Sequence, residues 1–157
     1  MSNIRYTYSL DGITADQVAG LRAEWVTPPS PEVNLRSLRN MNAVVLAVDE
    51  DAGQVVGFVC GMTDDMLILY VWDEEVLPAH RGTGIRGEIY RRFLDRYGEI
   101  YQINANPSAD RRALFEQLGF VPYHPDDAVA MTRMRMDLQA PQTPTTSRDT
   151  FCVPYGT

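Results

Sequence analysis

The run His80-Arg81-Gly82-Thr83-Gly84-Ile85-Arg86-Gly87 carries the residue types and spacing best suited to chemistry. Its first two glycines, two residues apart, let the backbone adopt conformations that other residues avoid and let it approach a bound anion closely. A helix predicted to begin at Ile85 adds unpaired N–H groups and the positive end of its dipole. Strand, glycine turn and helix together compose an anion site, suited to phosphate, although turns of this kind also serve purely structural ends. Arg86 is the odd member. At about 100° per residue, Ile85, Ile89, Tyr90, Phe93, Leu94 and Tyr97 form one apolar face, and Arg86 falls near its middle. Glu88, Arg91, Arg92 and Asp95 lie on the outer side. A guanidinium left unpaired on an apolar face is costly, so Arg86 must reach a carboxylate or a phosphate.

The elements that position this turn follow from pattern. Ile4–Leu10 alternates and reads as a strand. Residues 14–26 read as a helix capped by Thr14, with Val18, Leu21 and Trp25 at helical spacing. A second short helix starts with Ser30 as cap and Pro31 in the first position. Strands over 43–48 and 54–63 flank a hairpin turn, and Asp64-Asp65 makes the next turn. The stretch 66–78 is a long strand, apolar on both faces in its first part, as a central strand is. The helix from Ile85 ends at Gly98, and a strand over 100–106 follows. Asn106-Pro107 reads as the start of a helix with Leu114, Phe115 and Leu118 as its apolar stripe and Gly119 as its stop. Strands over 120–123 and 128–138 close the order. The expected fold is α+β, a mixed α/β arrangement: a mostly antiparallel twisted sheet of six to seven strands flanked by about four helices. Residues 1–138 form the domain. The Pro- and Thr-rich segment 139–157 is a C-terminal extension whose apolar end, Phe151–Tyr155, suggests a homodimer contact.

Composition narrows the partners. A net charge of −7 argues against nucleic acid and is compatible with a cationic small substrate. No apolar run approaches the roughly 18 residues of a membrane span, and the N-terminus has no basic segment followed by an apolar one. Cys60 and Cys152 form no CxxC pair and no metal-ligand spacing, so no metal and a cytoplasmic location are expected.

The segment Val76 to Phe93, followed by Ala113 to Phe120, resembles the GNAT superfamily of acyl-CoA-dependent N-acyltransferases. The family turn (Arg/Gln)-x-x-Gly-x-(Gly/Ala) is matched by Arg81 and Gly84, with Arg86 in place of the final small residue. Val76-Leu77-Pro78 matches its Val-x-Pro, and Phe115-Glu116-Gln117-Leu118-Gly119-Phe120 matches its Tyr-x-x-x-Gly-Phe with Phe in place of Tyr. The resemblance implies acetyl-CoA as co-substrate, with no metal. It places the pyrophosphate on the amides of Gly82, Thr83, Gly84, Ile85, Arg86 and Gly87. The pantetheine arm enters a gap between the strand ending near Val76 and the one beginning near Tyr101, against the backbone near Glu74, Glu75, Val76 and Leu77. Asn106 and Phe115 border it. The family tyrosine that protonates the leaving thiolate is Phe115 here, and a phenyl ring donates no proton.

Acyl transfer needs a neutral amine, so a carboxylate near the acyl group serves as base. Glu74 and Asp73 are the candidates, the alternative being that one acid simply pairs with Arg86. His80 lies in the loop before the cradle, away from the expected acyl position. Trp25 and Trp72 are candidates to line an acceptor pocket, although large aromatics are usually core. The implied function is acetyl transfer from acetyl-CoA to a primary amine of a small molecule by direct attack in a ternary complex. Its alternative is a catalytically silent acyl-CoA-binding module of the same fold, and a third reading is an interaction protein whose Arg86 pairs internally.

Overall fold

The computed structural model describes residues 3–121. Residues 120 and 121 are not in a strand, and the rest of the strand expected over 120–123, the strand expected over 128–138, the segment 139–157 and the dimer contact expected of it lie outside the described residues. The described residues form a sheet of five strands, β1 (Ile4–Thr7), β2 (Ala43–Asp49), β3 (Gln54–Thr63), β4 (Ile68–Val76) and β5 (Gln102–Ala105), in that spatial order. Neighbours are antiparallel except β4 and β5, which are parallel. Three α-helices accompany it: α1 (Pro31–Arg39), α2 (Ile85–Tyr97) and α3 (Arg112–Gln117).

Local chemistry accounts for the hairpins. Asp49 Oδ1 accepts from the amides of Asp51 and Ala52, both at 3.0 Å, and Gly53 takes φ of 64° to turn β2 into β3. Asp64 Oδ1 accepts from the amides of Met66, Leu67 and Ile68 at 3.0, 2.8 and 2.9 Å, the turn the sequence predicts. Ser30 caps α1 through the Val33 amide, with Pro31 in the first position. α3 closes in a Schellman motif: Phe120 N–H donates to Phe115 O at 3.0 Å, Gly119 N–H donates to Glu116 O at 3.1 Å, and Gly119 has φ of 89°.

Part of the core lies between α2 and the sheet, and Ile13, Val18, Leu21, Leu35 and Leu38 add buried apolar residues from outside both. Ile85, Ile89, Tyr90 and Phe93 of α2 are buried against β2, β3 and β4. Gly57 in β3 permits this approach: a Cβ there would stand 3.0 Å from Ile89 Cδ1 and 3.1 Å from Glu75 O.

Three expectations are corrected. The predicted helix over 14–26 is a 3₁₀ turn at Asp16–Val18 followed by turns, with Arg22 at φ of 58°. Thr14 does not cap a helix; its N–H bonds Gln17 Oε1 at 3.0 Å. The Arg22 amide and side chain are drawn instead to carboxylates of β4, and tertiary hydrogen bonds override a helical pattern that Gly20 already weakens. With this helix absent, the described residues hold five strands and three α-helices against the expected six to seven and about four, two of the expected strands lying wholly or partly outside them. Next, β4 is not buried on both faces: Leu69 and Val71 are buried, Ile68 and Trp72 exposed. Finally, Asn106 is not a helix cap, since Ser108 begins the 3₁₀ turn Ala109–Arg111 that leads into α3; the Asn106 amide donates to Tyr70 Oη at 2.7 Å.

One feature positions everything else. β5 pairs with β4 only from Ile68–Gln102 to Val71–Ala105, while β4 continues to Val76 with β3 as its partner. The sheet therefore splays beyond Val71. The pairing of β4 with β3 jumps from Val71–Gly61 to Asp73–Cys60, which leaves Trp72 as a bulged residue at the fork.

Candidate active site

The turn after β4 forms an open cradle. Gly82 has φ of 78° and Gly84 φ of 89°, conformations that favour glycine. A Cβ at Gly82, Gly84 or Gly87 would meet nothing within 4 Å. The first α2 amide bonded to a helix carbonyl is that of Glu88, to Gly84 O at 3.1 Å. The amides of Ile85, Arg86 and Gly87 precede it and point off the helix end. Thr83 Oγ1 donates to His80 O at 2.6 Å and tightens the loop. Arg81 braces the turn from outside: its Nε donates to Val76 O at 3.2 Å and its guanidinium pairs with Glu24.

The acid run alternates across β4. Asp73 and Glu75 share a face and both meet Arg22: Nε to Asp73 Oδ2 at 2.8 Å, and backbone N–H to Glu75 Oε2 at 2.6 Å. Arg22, only 2% exposed, also donates to Asn34 Oδ1 at 3.1 Å, and its guanidinium lies 5.0 Å from the Phe58 ring centre and 5.3 Å from that of Trp25. Buried Asn34 in turn donates to Leu21 O at 2.9 Å. Burial pushes the Glu75 carboxyl up, against the pull of the Arg22 N–H. Glu74 points the other way and is held between two cations, Arg86 Nε at 3.1 Å and the guanidinium of Arg111. The anion that Arg86 needs is thus a carboxylate of the protein itself.

Sequence reasoning did not find Arg22, Asn34 or Arg111. Arg22 sits beside Leu21 in an apolar pattern, the same mismatch that singles out Arg86; nothing in the spacing marks Asn34 or Arg111. Trp25 and Trp72 are not core residues but 49% and 55% exposed, since Trp25 lies in a loop and the bulge turns Trp72 outward.

Between the splayed strands lies a cleft of about 200 Å³. Val71, Trp72, Asp73 and Glu74 line one side and Ala105 to Ser108 the other, joined by Arg111, Phe115 and Tyr90. His80 is not among the lining residues. A forked sheet with a glycine cradle on the helix beyond its longer strand is an arrangement that reaches well past any single motif, and the model of the acetyltransferase (GNAT) family matches residues 10–120. The chain belongs to the GNAT family.

As a GNAT protein it is similar to a provisionally described acetyltransferase of Deinococcus radiodurans R1, with 32% identity over 87% of this chain and 95% of that one and a TM-score of 0.76. It shares its fold with a GNAT family acetyltransferase of Streptococcus pneumoniae TIGR4, at 22% identity over 87% of this chain and 99% of that one, TM-score 0.66. It also shares it with AAC(6')-Iy, solved in complex with the bisubstrate analogue CoA-S-monomethyl-acetylneamine, at 16% identity over 86% and 99% of the two chains, TM-score 0.57. No curated protein matches the chain. Among the described residues, no cluster of His, Cys, Asp and Glu is arranged to hold a metal ion, and no helix is long and apolar enough to cross a membrane.

In this GNAT domain Cys60 pairs with Asp73 across the β3–β4 ladder and is fully buried. Burial, reinforced by the Asp73 charge, pushes its thiol up to about 12. The thiolate is the reactive form, so Cys60 stays as the unreactive thiol at pH 8. Iodoacetamide at pH 8 is expected to leave the Cys60 peptide unmodified in the folded protein and to label it fully in guanidinium, as read by peptide mass mapping. Labelling of native Cys60 within minutes would contradict this environment.

Proposed function

We propose that this GNAT protein is an N-acetyltransferase that moves an acetyl group from acetyl-CoA to a primary amine of a small molecule, by direct attack within a ternary complex. The observation that carries the reading is the fork itself. Beyond Val71 the β4 backbone faces the cleft without a strand partner on that side among the described residues, and the stretch leads directly into the glycine cradle. A pantetheine arm laid along Glu74, Glu75, Val76 and Leu77 would take the place of the missing strand. Its pyrophosphate would rest on the amides of Gly82 to Gly87, where the helix end favours negative charge. No atom lies within 4 Å of a Cβ placed at Gly82, Gly84 or Gly87, so these positions are open to an approaching group. Asn106 and Phe115 border the cleft where the arm would run.

Within this reading the chain orients donor and amine and supplies a base. Asp73 is the better candidate. It lines the cleft, and its hydrogen bond to Arg22 engages Oδ2. Glu74 lines the cleft as well, but both of its oxygens face guanidinium groups. We assign Glu74 the role of holding Arg86 and Arg111 in place, with base catalysis as its second role.

A silent acyl-CoA-binding module is the second reading, favoured by Phe115 at the family's tyrosine position and by the Arg86–Glu74–Arg111 cluster at the cleft. Calorimetric titration with acetyl-CoA, followed by thiol release across a panel of primary amines, separates them. The expected result is binding together with amine-dependent thiol release. Binding without release for any amine would favour the module, and no binding at millimolar concentration would sink both.

A further inference from the structure

Tyr90 is the one lining residue of the cleft with a hydroxyl buried and without a hydrogen-bond partner among the described residues. It is 1% exposed and comes from the second turn of α2, directly behind the cradle. Its ring meets that of Phe115 edge-on at 5.4 Å between centres, and Phe115 in turn meets Phe120 at 5.1 Å. The ring is thus fixed by packing on its apolar side. The charged groups whose fields reach the phenol are Arg86 and Asp73, the second of which lines the cleft.

A phenol in an apolar core commonly finds a partner, because an unsatisfied buried hydroxyl costs about 1–3 kcal/mol. Tyr90 carries that cost here, although phenylalanine would fill the same space. Such a group is retained where a ligand supplies the acceptor. Phe115, its neighbour at the cleft, has no hydroxyl to offer, so Tyr90 is the phenol available there. We propose that the Tyr90 hydroxyl is the hydrogen-bond donor to the sulfur of coenzyme A as the thioester breaks, a role that rests on the acetyl-transfer reading above.

The chemistry needs such a donor. The amine nitrogen bonds to the acetyl carbon, the carbon–sulfur bond breaks, and its electron pair goes to sulfur. The proton shed by nitrogen ends on sulfur, giving amide and thiol. Between bond cleavage and protonation the sulfur is negative, and a fixed donor there stabilises that charge without reorganisation. Burial pushes the phenol up, which keeps it protonated and able to donate throughout the neutral range. Tyr90 therefore acts as a standing donor and is never consumed as an acid.

The test compares wild type with Tyr90→Phe by thiol release, by acetyl-CoA calorimetry and by thermal melting. The expected result is a fall in kcat of at least tenfold, an acetyl-CoA Kd within twofold of wild type, and a melting temperature unchanged or raised. A merely structural hydroxyl would instead lower the melting temperature when removed. Unchanged kcat in an active enzyme, or a kcat loss accompanied by a lowered melting temperature, overturns the role of Tyr90 alone. Absence of thiol release from wild type overturns the acetyl-transfer reading and this role with it.

Discussion

Gly84→Asp is expected to weaken acetyl-CoA binding by roughly 100-fold, far more than Gly84→Asn. Gly84 holds φ of 89° at the start of α2, and a Cβ there would meet nothing within 4 Å. Asn and Asp enter the left-handed region more readily than other side chains, so both variants should fold. They have the same shape and differ in charge. A carboxylate about 4 Å from a phosphate, at an effective dielectric near 20, opposes it by about 4 kcal/mol before screening by salt. About two-thirds of that, roughly 2.7 kcal/mol, corresponds to the stated factor. The uncharged Asn only occupies room and removes flexibility, so a loss of about tenfold or less is expected of it. Raising the salt to 1 M shrinks the Debye length to about 3 Å and should narrow the gap between the variants. Calorimetric titration at two salt concentrations reads all of this. Equal affinities for the Asp and Asn variants would show that no phosphate lies against this turn.

The second large effect concerns stability. Arg22→Ala removes a nearly inaccessible guanidinium that joins Asp73 and Asn34. Both partners stay behind in a half-buried or buried setting with their bonds unmade. Breaking one side of a buried ion pair typically costs about 3–5 kcal/mol, a large share of the roughly 5–15 kcal/mol that a domain has in total. Arg22→Gly makes the same deletion but relieves the backbone, because φ of 58° is unfavourable for alanine by about 1 kcal/mol and open to glycine. The Gly variant should therefore be the more stable of the two, the reverse of the usual order within a helix. Urea unfolding midpoints give the comparison. A loss under about 1 kcal/mol for Arg22→Ala would contradict the buried network, and an Ala variant more stable than the Gly variant would contradict the strained turn.

Much of this was legible in the sequence wherever a signal was local. The hairpins at Asp49–Gly53 and Asp64-Asp65 rest on turn residues a few positions apart, and both formed. α2 runs from Ile85 to Tyr97 as its apolar face predicts. The wheel required Arg86 to meet an anion, a phosphate or one acid of the 73–75 run; Glu74 answers, twelve residues back along the chain, and spacing alone did not choose it from its neighbours. The failures share one cause. Residues 14–26 have a helical pattern, but the Arg22 amide bonds a carboxylate 53 positions away, and that contact sets the backbone. Trp72 looked like core because aromatic residues in a central strand usually are; a one-residue bulge against β3 turned it outward. The fork between β4 and β5 came from likeness to a family, since no residue in either strand announces where pairing stops.

That fork also bears on how the protein behaves at high concentration. Past Val71, β4 has on one side no strand partner among the described residues, an edge of the kind to which another chain can add a strand and begin a fibril. Asp73, Glu74 and Glu75 occupy this same stretch. A second molecule offering its own β4 would have to bury these carboxylates, together with the guanidinium groups that hold Asp73 and Glu74, against their counterparts, which is costly, and the molecule is already acidic, at −7. Whatever else the acid run does, it lets a sheet remain open for a ligand without recruiting its own kind into the gap.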